Sequence, residues 1–199
     1  MEFDLREFSK ARIEEFLTCL IGIVYYCIKI KKLSDDENNR FTYELTGYEF
    51  EEYLNELYYE LYFYYTRHGP EYYLRTEGLT GEEQEIKRML ELIRAFTSIK
   101  NPMDVKFTTK YPLVLINEIG PSEDDSRGSH KNDKLIPTRE QQQVSESNEF
   151  TFRELCDAAY IVKTKKFDKW YEQYDHCYEP DIDEENELMS IKVYYNHGS

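Results

Sequence analysis

Between Glu15 and Lys29 the chain carries 13 uncharged residues in a row, and no other stretch constrains the fold as strongly. Ile13, Phe16, Leu17, Leu20, Ile21, Val24, Cys27 and Ile28 keep the three- and four-residue steps of an α-helix. Ile23, Tyr25 and Tyr26 make the second half of that helix apolar nearly all round. A helix without a polar face needs neighbours on every side, so this one is expected at the buried centre of the fold. The uncharged run is too short to cross a bilayer with ease, which takes about 20 residues. Asp4-Leu5-Arg6-Glu7 reads as the cap of the helix and Lys31 as its end, with Lys29, Lys31 and Lys32 complementing the negative end of the dipole. Leu33 to Arg40 reads as a polar connection.

The next segment, Thr46 to Gly69, is the most unusual in composition. Thr46-Gly47-Tyr48-Glu49 has capping-box spacing, and Leu54, Leu57, Leu61 and Tyr65 recur at helical steps beside Phe50, Tyr53, Tyr58 and Tyr64. Gly69-Pro70 is a stop signal. Ten tyrosines lie between Tyr43 and Tyr73, with Phe63 the one phenylalanine after Phe50. A tyrosine hydroxyl buried without a partner costs roughly 1–3 kcal/mol, so choosing tyrosine over phenylalanine this often implies hydroxyls that reach water or another molecule. One reading is a core helix whose rings are inside and whose tips are at the rim. The other is a docking face, since tyrosine is enriched among interface anchors.

Further along, Thr80-Gly81-Glu82-Glu83 repeats the capping spacing ahead of Ile86, Met89, Leu90, Ile93, Phe96 and Ile99, an amphipathic helix ending before Asn101-Pro102. Val105-Lys106-Phe107 and Leu113 to Ile116 look extended. From Gly120 to Asn148 no aromatic residue occurs and Ser, Asp, Glu, Lys and Gln dominate, the composition of a flexible linker or long surface loop. Thr151-Phe152-Arg153-Glu154 opens another capped helix, with Phe152, Leu155, Ala159 and Val162 inward. Phe167, Trp170, Tyr171 and Tyr174 continue at helical spacing. Met189, Ile191, Val193 and Tyr195 alternate with Ser190, Lys192 and Tyr194, the period of a half-buried strand that could pair with Leu113 to Ile116.

Net charge is −15, from 40 acidic and 25 basic residues. Such a surface repels phosphates and anionic lipid and favours a basic partner, which argues against direct nucleic-acid binding. Cys19, Cys27, Cys156 and Cys177 sit within apolar or aromatic patterns and read as small hydrophobes in a reducing, intracellular setting. The acidic start Met1-Glu2-Phe3-Asp4 has no signal-peptide character. Alanine is scarce and Ile, Lys, Asn and Tyr are abundant, the codon bias of an AT-rich genome such as many large DNA viruses and parasites carry.

Catalytic and ligand motifs are missing from the sequence. No glycine-rich phosphate loop, nucleophile elbow or His-Glu-x-x-His occurs. His176 and Cys177 beside Asp175, Asp181 and Asp183 lack the second spaced pair of a structural zinc site. Asp181 to Lys192 begins like a calcium loop but has Asn186 at the sixth position and Lys192 at the twelfth, where glycine and glutamate are required. Asp175 to Glu187 holds seven acids and no base, which reads either as a solvated acidic connection or as a contact for a basic surface.

The sequence therefore predicts a mainly α (α+β) protein, a bundle of four to five helices with a small two- to three-stranded sheet from segments 103–118 and 187–195. It divides into a helical domain over 1–119, a linker or loop over 120–148, and a helix-plus-strand segment over 149–199 packing on the first domain. The expected function is non-enzymatic: a structural or interaction protein that self-associates or docks on a basic protein surface, such as a viral particle or assembly component, with no cofactor or metal. The expected contact residues are Tyr48, Glu49, Glu52, Tyr53, Glu56, Tyr59, Glu60, Tyr62, Tyr174, Tyr178, Asp181, Asp183 and Glu184. An acidic mimic of nucleic acid, with Glu49, Glu52, Glu56 and Glu60 standing for phosphates, is the alternative, and an enzyme with an unrecognised site the third. The expected location is intracellular and soluble, in host cytoplasm or virion.

Overall fold

Helix α1 (Lys10–Cys27) takes the central place that its apolar circumference demands. In a computed structural model, which describes residues 1–32, 41–45, 81–119, 138–164 and 176–195, it buries Ile13, Phe16, Leu17, Leu20, Ile21, Ile23 and Val24. Helix α2 (Gly81–Thr97) turns Ile86, Met89, Leu90, Ile93 and Phe96 inward, and α3 (Phe152–Thr164) does the same with Phe152, Leu155, Ala159 and Val162. These are the positions their periodicity predicts. Cys19 and Cys156 are buried, as small hydrophobes are expected to be.

The surroundings of the helices correct the expected bundle. The described residues hold three α-helices and nine strands in three sheets, not four to five helices with one small sheet. The predicted helix over Thr46–Gly69 and the continuation over Phe167–Tyr174 lie outside the described residues.

Three segments account for much of the difference. Helix α1 stops at Cys27, four residues before its expected end, and Ile28–Lys32 becomes strand β2, antiparallel to β3 (Phe41–Leu45). Ile28-Lys29-Ile30-Lys31 alternates at a period of two, and β-branched residues favour the pleated chain, so the lysines lie along a strand and do not close the helix. Thr138–Gln143, read as part of the linker, is a strand of Thr-Arg-Glu-Gln-Gln-Gln with no apolar residue to reveal it. His176–Asp183, read as an acidic connection, is another strand.

The smallest sheet-forming segments make a three-stranded sheet. β1 (Glu2–Asp4) runs parallel to β4 (Lys106–Thr108), which runs antiparallel to β7 (Glu149–Thr151). The register sets Phe3 beside Phe107 and Phe107 beside Phe150, with ring centroids 5.8 and 5.3 Å apart, both pairs stacked. Phe16 of α1 and Phe96 of α2 close on Phe107 at 5.9 and 5.8 Å, and Phe96 meets Phe152 of α3 edge-on at 5.6 Å. Six phenylalanines thus join all three helices to one sheet. Burying each ring is worth about 1.5–3 kcal/mol, and aromatic contacts add about 0.5–1.5 kcal/mol per pair.

The largest sheet has four strands in the order β6-β5-β9-β8, with β5 at Leu113–Ile119, β6 at Thr138–Gln143, β8 at His176–Asp183 and β9 at Leu188–Tyr195. The expected pairing of Leu113–Ile116 with the alternating C-terminal segment is present: β5 and β9 run parallel, Leu113 opposite Met189 and Asn117 opposite Val193. One face carries Leu113, Leu115, Asn117, Met189, Ile191 and Val193, all buried. Helix α3 packs against β5 and β6, and α1 against β8.

The start of α1 also differs from expectation. Asp4 ends β1, and its carboxylate accepts from the Arg6 backbone and guanidinium at 3.0, 2.9 and 2.6 Å instead of capping a helix. Ser9 is the N-cap; its side chain makes no cap bond, and its backbone N–H donates to the Glu85 carboxylate of α2.

Candidate functional site

Of the predicted contact residues, the described structure brings three together at one end of the four-stranded sheet. Asp181, Asp183 and Glu184 lie where β8 turns into β9. In a strand alternate residues share a face: Ile182 is buried, which sends Asp181 and Asp183 to the opposite side with Glu179. Pro180 interrupts the strand's hydrogen-bond donors at no cost to the order of the sheet, because β8 is an edge strand.

The tip is fixed by its own side chains. Asp183 Oδ1 accepts from the backbone N–H groups of Glu185 and Asn186 at 3.1 and 3.0 Å, and Oδ2 accepts from Asn186 Nδ2 at 2.7 Å. Carboxylate-to-backbone bonding of this kind builds turns. Glu187 closes the turn at φ 52, the left-handed region that side chains other than glycine seldom adopt. Donation from Asn186 holds the Asp183 carboxyl below the usual aspartate range.

Two lysines from elsewhere in the chain reach the same corner. Lys10, the first residue of α1, donates to Asp181 Oδ1 at 3.4 Å and to the Ile182 carbonyl at 3.0 Å. Lys110, in the loop between β4 and β5, donates to Glu184 Oε1 at 2.9 Å and lowers the pKa of that carboxyl. Exposed pairs of this sort are screened by water and salt, so they orient the hairpin more than they hold it. Glu184, Glu185 and Glu187 are exposed.

The lysines and Asn186 are the residues that sequence reasoning missed. Lys10 lies 171 positions from Asp181 and Lys110 lies 74 from Glu184, separations that carry no local signal. Asn186, noted only as the residue that spoils a calcium loop, is the partner that orders the turn. Among the described residues no group of three or more His, Cys, Asp or Glu side chains is placed to hold a metal ion.

The other predicted contacts are not brought to this corner. Tyr178 stands on β8 opposite Val193. Tyr48, Glu49, Glu52, Tyr53, Glu56, Tyr59, Glu60, Tyr62 and Tyr174 lie outside the described residues.

No protein-family model, curated protein or solved structure matches the chain. Among the described residues no helix is long and apolar enough to cross a membrane.

Proposed function

We propose that this is a non-catalytic interaction or structural protein, a component of a larger assembly, that docks on a basic protein surface. The observation supporting this most directly is the ordered acidic tip of the β8–β9 hairpin. Its backbone is held by Asp183 and Asn186, while Glu184, Glu185 and Glu187 stand exposed around it. A surface organised before binding loses less entropy on contact than a floppy acidic tail, and complementary charge speeds encounter and fixes orientation. The excess of acid over base in the whole chain acts in the same direction. The tyrosine-rich stretch after Leu45 would supply the apolar anchors that an acidic rim lacks. Glu49, Glu52, Glu56 and Glu60, on which a mimic of nucleic acid would rest, lie outside the described residues.

Charge reversal tests the reading. Glu184→Lys, Glu185→Lys and Glu187→Lys together change exposed side chains and leave Asp183 and Asn186 to form the turn. Sedimentation velocity and co-purification from the native source should find the wild type in a complex or self-associated at low salt, and the triple variant released from it. A wild type that stays monomeric at high concentration and brings down no partner, or a triple variant that assembles equally well, would overturn the proposal.

A further inference from the structure

β2 and β3 form a two-stranded sheet that joins no other strand among the described residues. A lone hairpin is marginally stable in water and needs a surface to pack on. Helix α3 supplies one. Arg153, Asp157 and Tyr160 are spaced by four and three, which places them along one stripe of the helix. Phe41 and Tyr43 are spaced by two, which places them on one face of β3.

Contacts among the described residues join the two surfaces at three places. The Phe41 ring lies 5.0 Å from that of Tyr160. The Arg153 guanidinium sits over the Tyr43 ring, 5.1 Å from its centroid. The Tyr43 hydroxyl donates to Asp157 Oδ1. Arg153 also donates to Asp104 Oδ1 at 3.2 Å, so its charge is shared between two acids. Phe41, Tyr43, Arg153, Asp157 and Tyr160 are all half-buried.

Docking therefore takes a carboxylate partly out of water and gives it one neutral donor and a share of one cation. Undocking would return it to water. We propose that the Tyr43–Asp157 contact is a proton-sensitive latch, which fastens the β2–β3 hairpin to α3 more tightly when Asp157 carries a proton than when it is ionised. The phenol keeps an acceptor in either case, because a protonated carboxyl still offers its carbonyl oxygen; what changes is the cost of the buried charge.

The groups around Asp157 agree with this assignment. Burial raises its pKa above the ordinary aspartate value, and donation from Tyr43 and the charge of Arg153 offset the rise only in part. Burial also pushes up the Tyr43 phenol and the Cys156 thiol, which stay neutral through the acid and neutral range. Glu154, the next acid on α3, is committed to the Thr151 cap, and Asp104 to Arg153. The sign follows from linkage: the docked form, with the raised pKa, binds more protons than the undocked form. Latching is complete below the ordinary aspartate pKa and is lost as pH rises through the raised, docked value. β3 ends at Leu45, and the tyrosine-rich stretch follows it directly in the sequence. It rests on the contacts named and does not depend on the docking reading above.

Hydrogen-exchange protection factors, corrected for the intrinsic pH dependence of exchange, test the latch between about pH 4 and 8. The quantity to follow is the protection of Phe41–Leu45 amides relative to Leu113–Asn117 amides, which report global opening. In the wild type this ratio should fall as pH rises through the Asp157 titration, by at most about tenfold per pH unit, and then level off. Asp157→Asn retains the acceptor without the charge and should hold the low-pH ratio throughout. Tyr43→Phe should lower the ratio at neutral pH and extend the fall to higher pH, while Asp104→Asn, by leaving Arg153 to Asp157 alone, should raise the ratio at neutral pH. A wild-type ratio independent of pH, or an Asp157→Asn variant with the wild-type dependence, would overturn the proposal. So would an Asp157 carboxyl midpoint, read by carbon NMR, at or below the ordinary aspartate value.

Discussion

The side-chain amide of Asn117 on β5 donates to the Val162 carbonyl on α3 at 3.4 Å, and among the described residues its Oδ1 has no hydrogen-bond partner. Val162 stands in the last described turn of α3. Asn117 thus makes one long bond and leaves its own oxygen unpaired among the described residues, at a position 0% exposed. Asn117→Val removes the unpaired oxygen but also takes this donor from the Val162 carbonyl; the two effects oppose, and stability is expected to change by less than about 1 kcal/mol. Asn117→Asp keeps the shape but places an unpaired charge in the interface, and should cost about 3 kcal/mol or more at pH 7. Burial disfavours that charge, so the deficit should shrink as pH falls and the new carboxyl takes up a proton. Urea unfolding of both variants at pH 7 and 5 checks the pair; an aspartate as stable as wild type at pH 7 would show that water reaches the site.

Phe107 is the position on which the six-ring cluster converges. It touches Phe3 and Phe150 in its own sheet and Phe16 and Phe96 from two helices. Phe107→Ala should cost about 3–5 kcal/mol, the range for a buried aromatic whose cavity cannot collapse. Phe107→Leu, which refills most of the volume, should lose less than half as much. Denaturant midpoints of the two variants decide it, and an alanine variant within about 1 kcal/mol of wild type would mean that the cluster is loosely packed.

What could be read in the sequence was the local part of this fold. Helices α1, α2 and α3 bury the residues that their own periodicity marks, and the capping pattern at Thr151 marks the start of α3 within one residue. Alternation from Met189 to Val193 was equally plain. Ile28–Lys32 was not, because five residues that follow a helix in frame fit either period. β6 was hidden for another reason: a strand ladder is built from backbone groups that every residue carries, so a polar run leaves no trace of it. The phenylalanine cluster draws on residues from Phe3 to Phe152 and appears only once the strands are in register. The acidic tip was visible as composition, yet Asn186 orders its turn and two distant lysines orient it, and nothing near Asp181 announces the lysines.

Thr151 and Glu154 form a reciprocal cap at the start of α3. The Glu154 N–H donates to Thr151 Oγ1 at 3.2 Å, while Glu154 Oε2 accepts from the Thr151 N–H at 2.6 Å and from its hydroxyl at 2.9 Å. Either Thr151→Ala or Glu154→Ala should cost about 1 kcal/mol. The double variant should cost less than the sum, since either single change already breaks the shared contact. A double-mutant cycle by thermal or denaturant unfolding measures this coupling, and strict additivity would mean that the two side chains act separately.

The Asp183 turn should respond to acid through one identifiable partner. Its carboxyl pKa is lowered first by the Asn186 side chain, then by the Asn186 and Glu185 backbone N–H groups. A depressed folded-state pKa means that the folded form binds the proton less readily than the unfolded chain. The contribution to stability is then full above the ordinary aspartate pKa and is lost as pH falls through the lower, folded value. Asn186→Ala deletes the leading cause, so it should move the Asp183 midpoint up toward that of a free aspartate without moving that of Glu184. Lys110→Ala should do the converse, raising Glu184 alone, because that carboxyl is lowered chiefly by Lys110. Carbon NMR of the side-chain carboxyls through an acid titration reads both midpoints in one experiment. If Asn186→Ala left Asp183 unmoved, the turn that arranges the acidic tip would not be the one formed in solution.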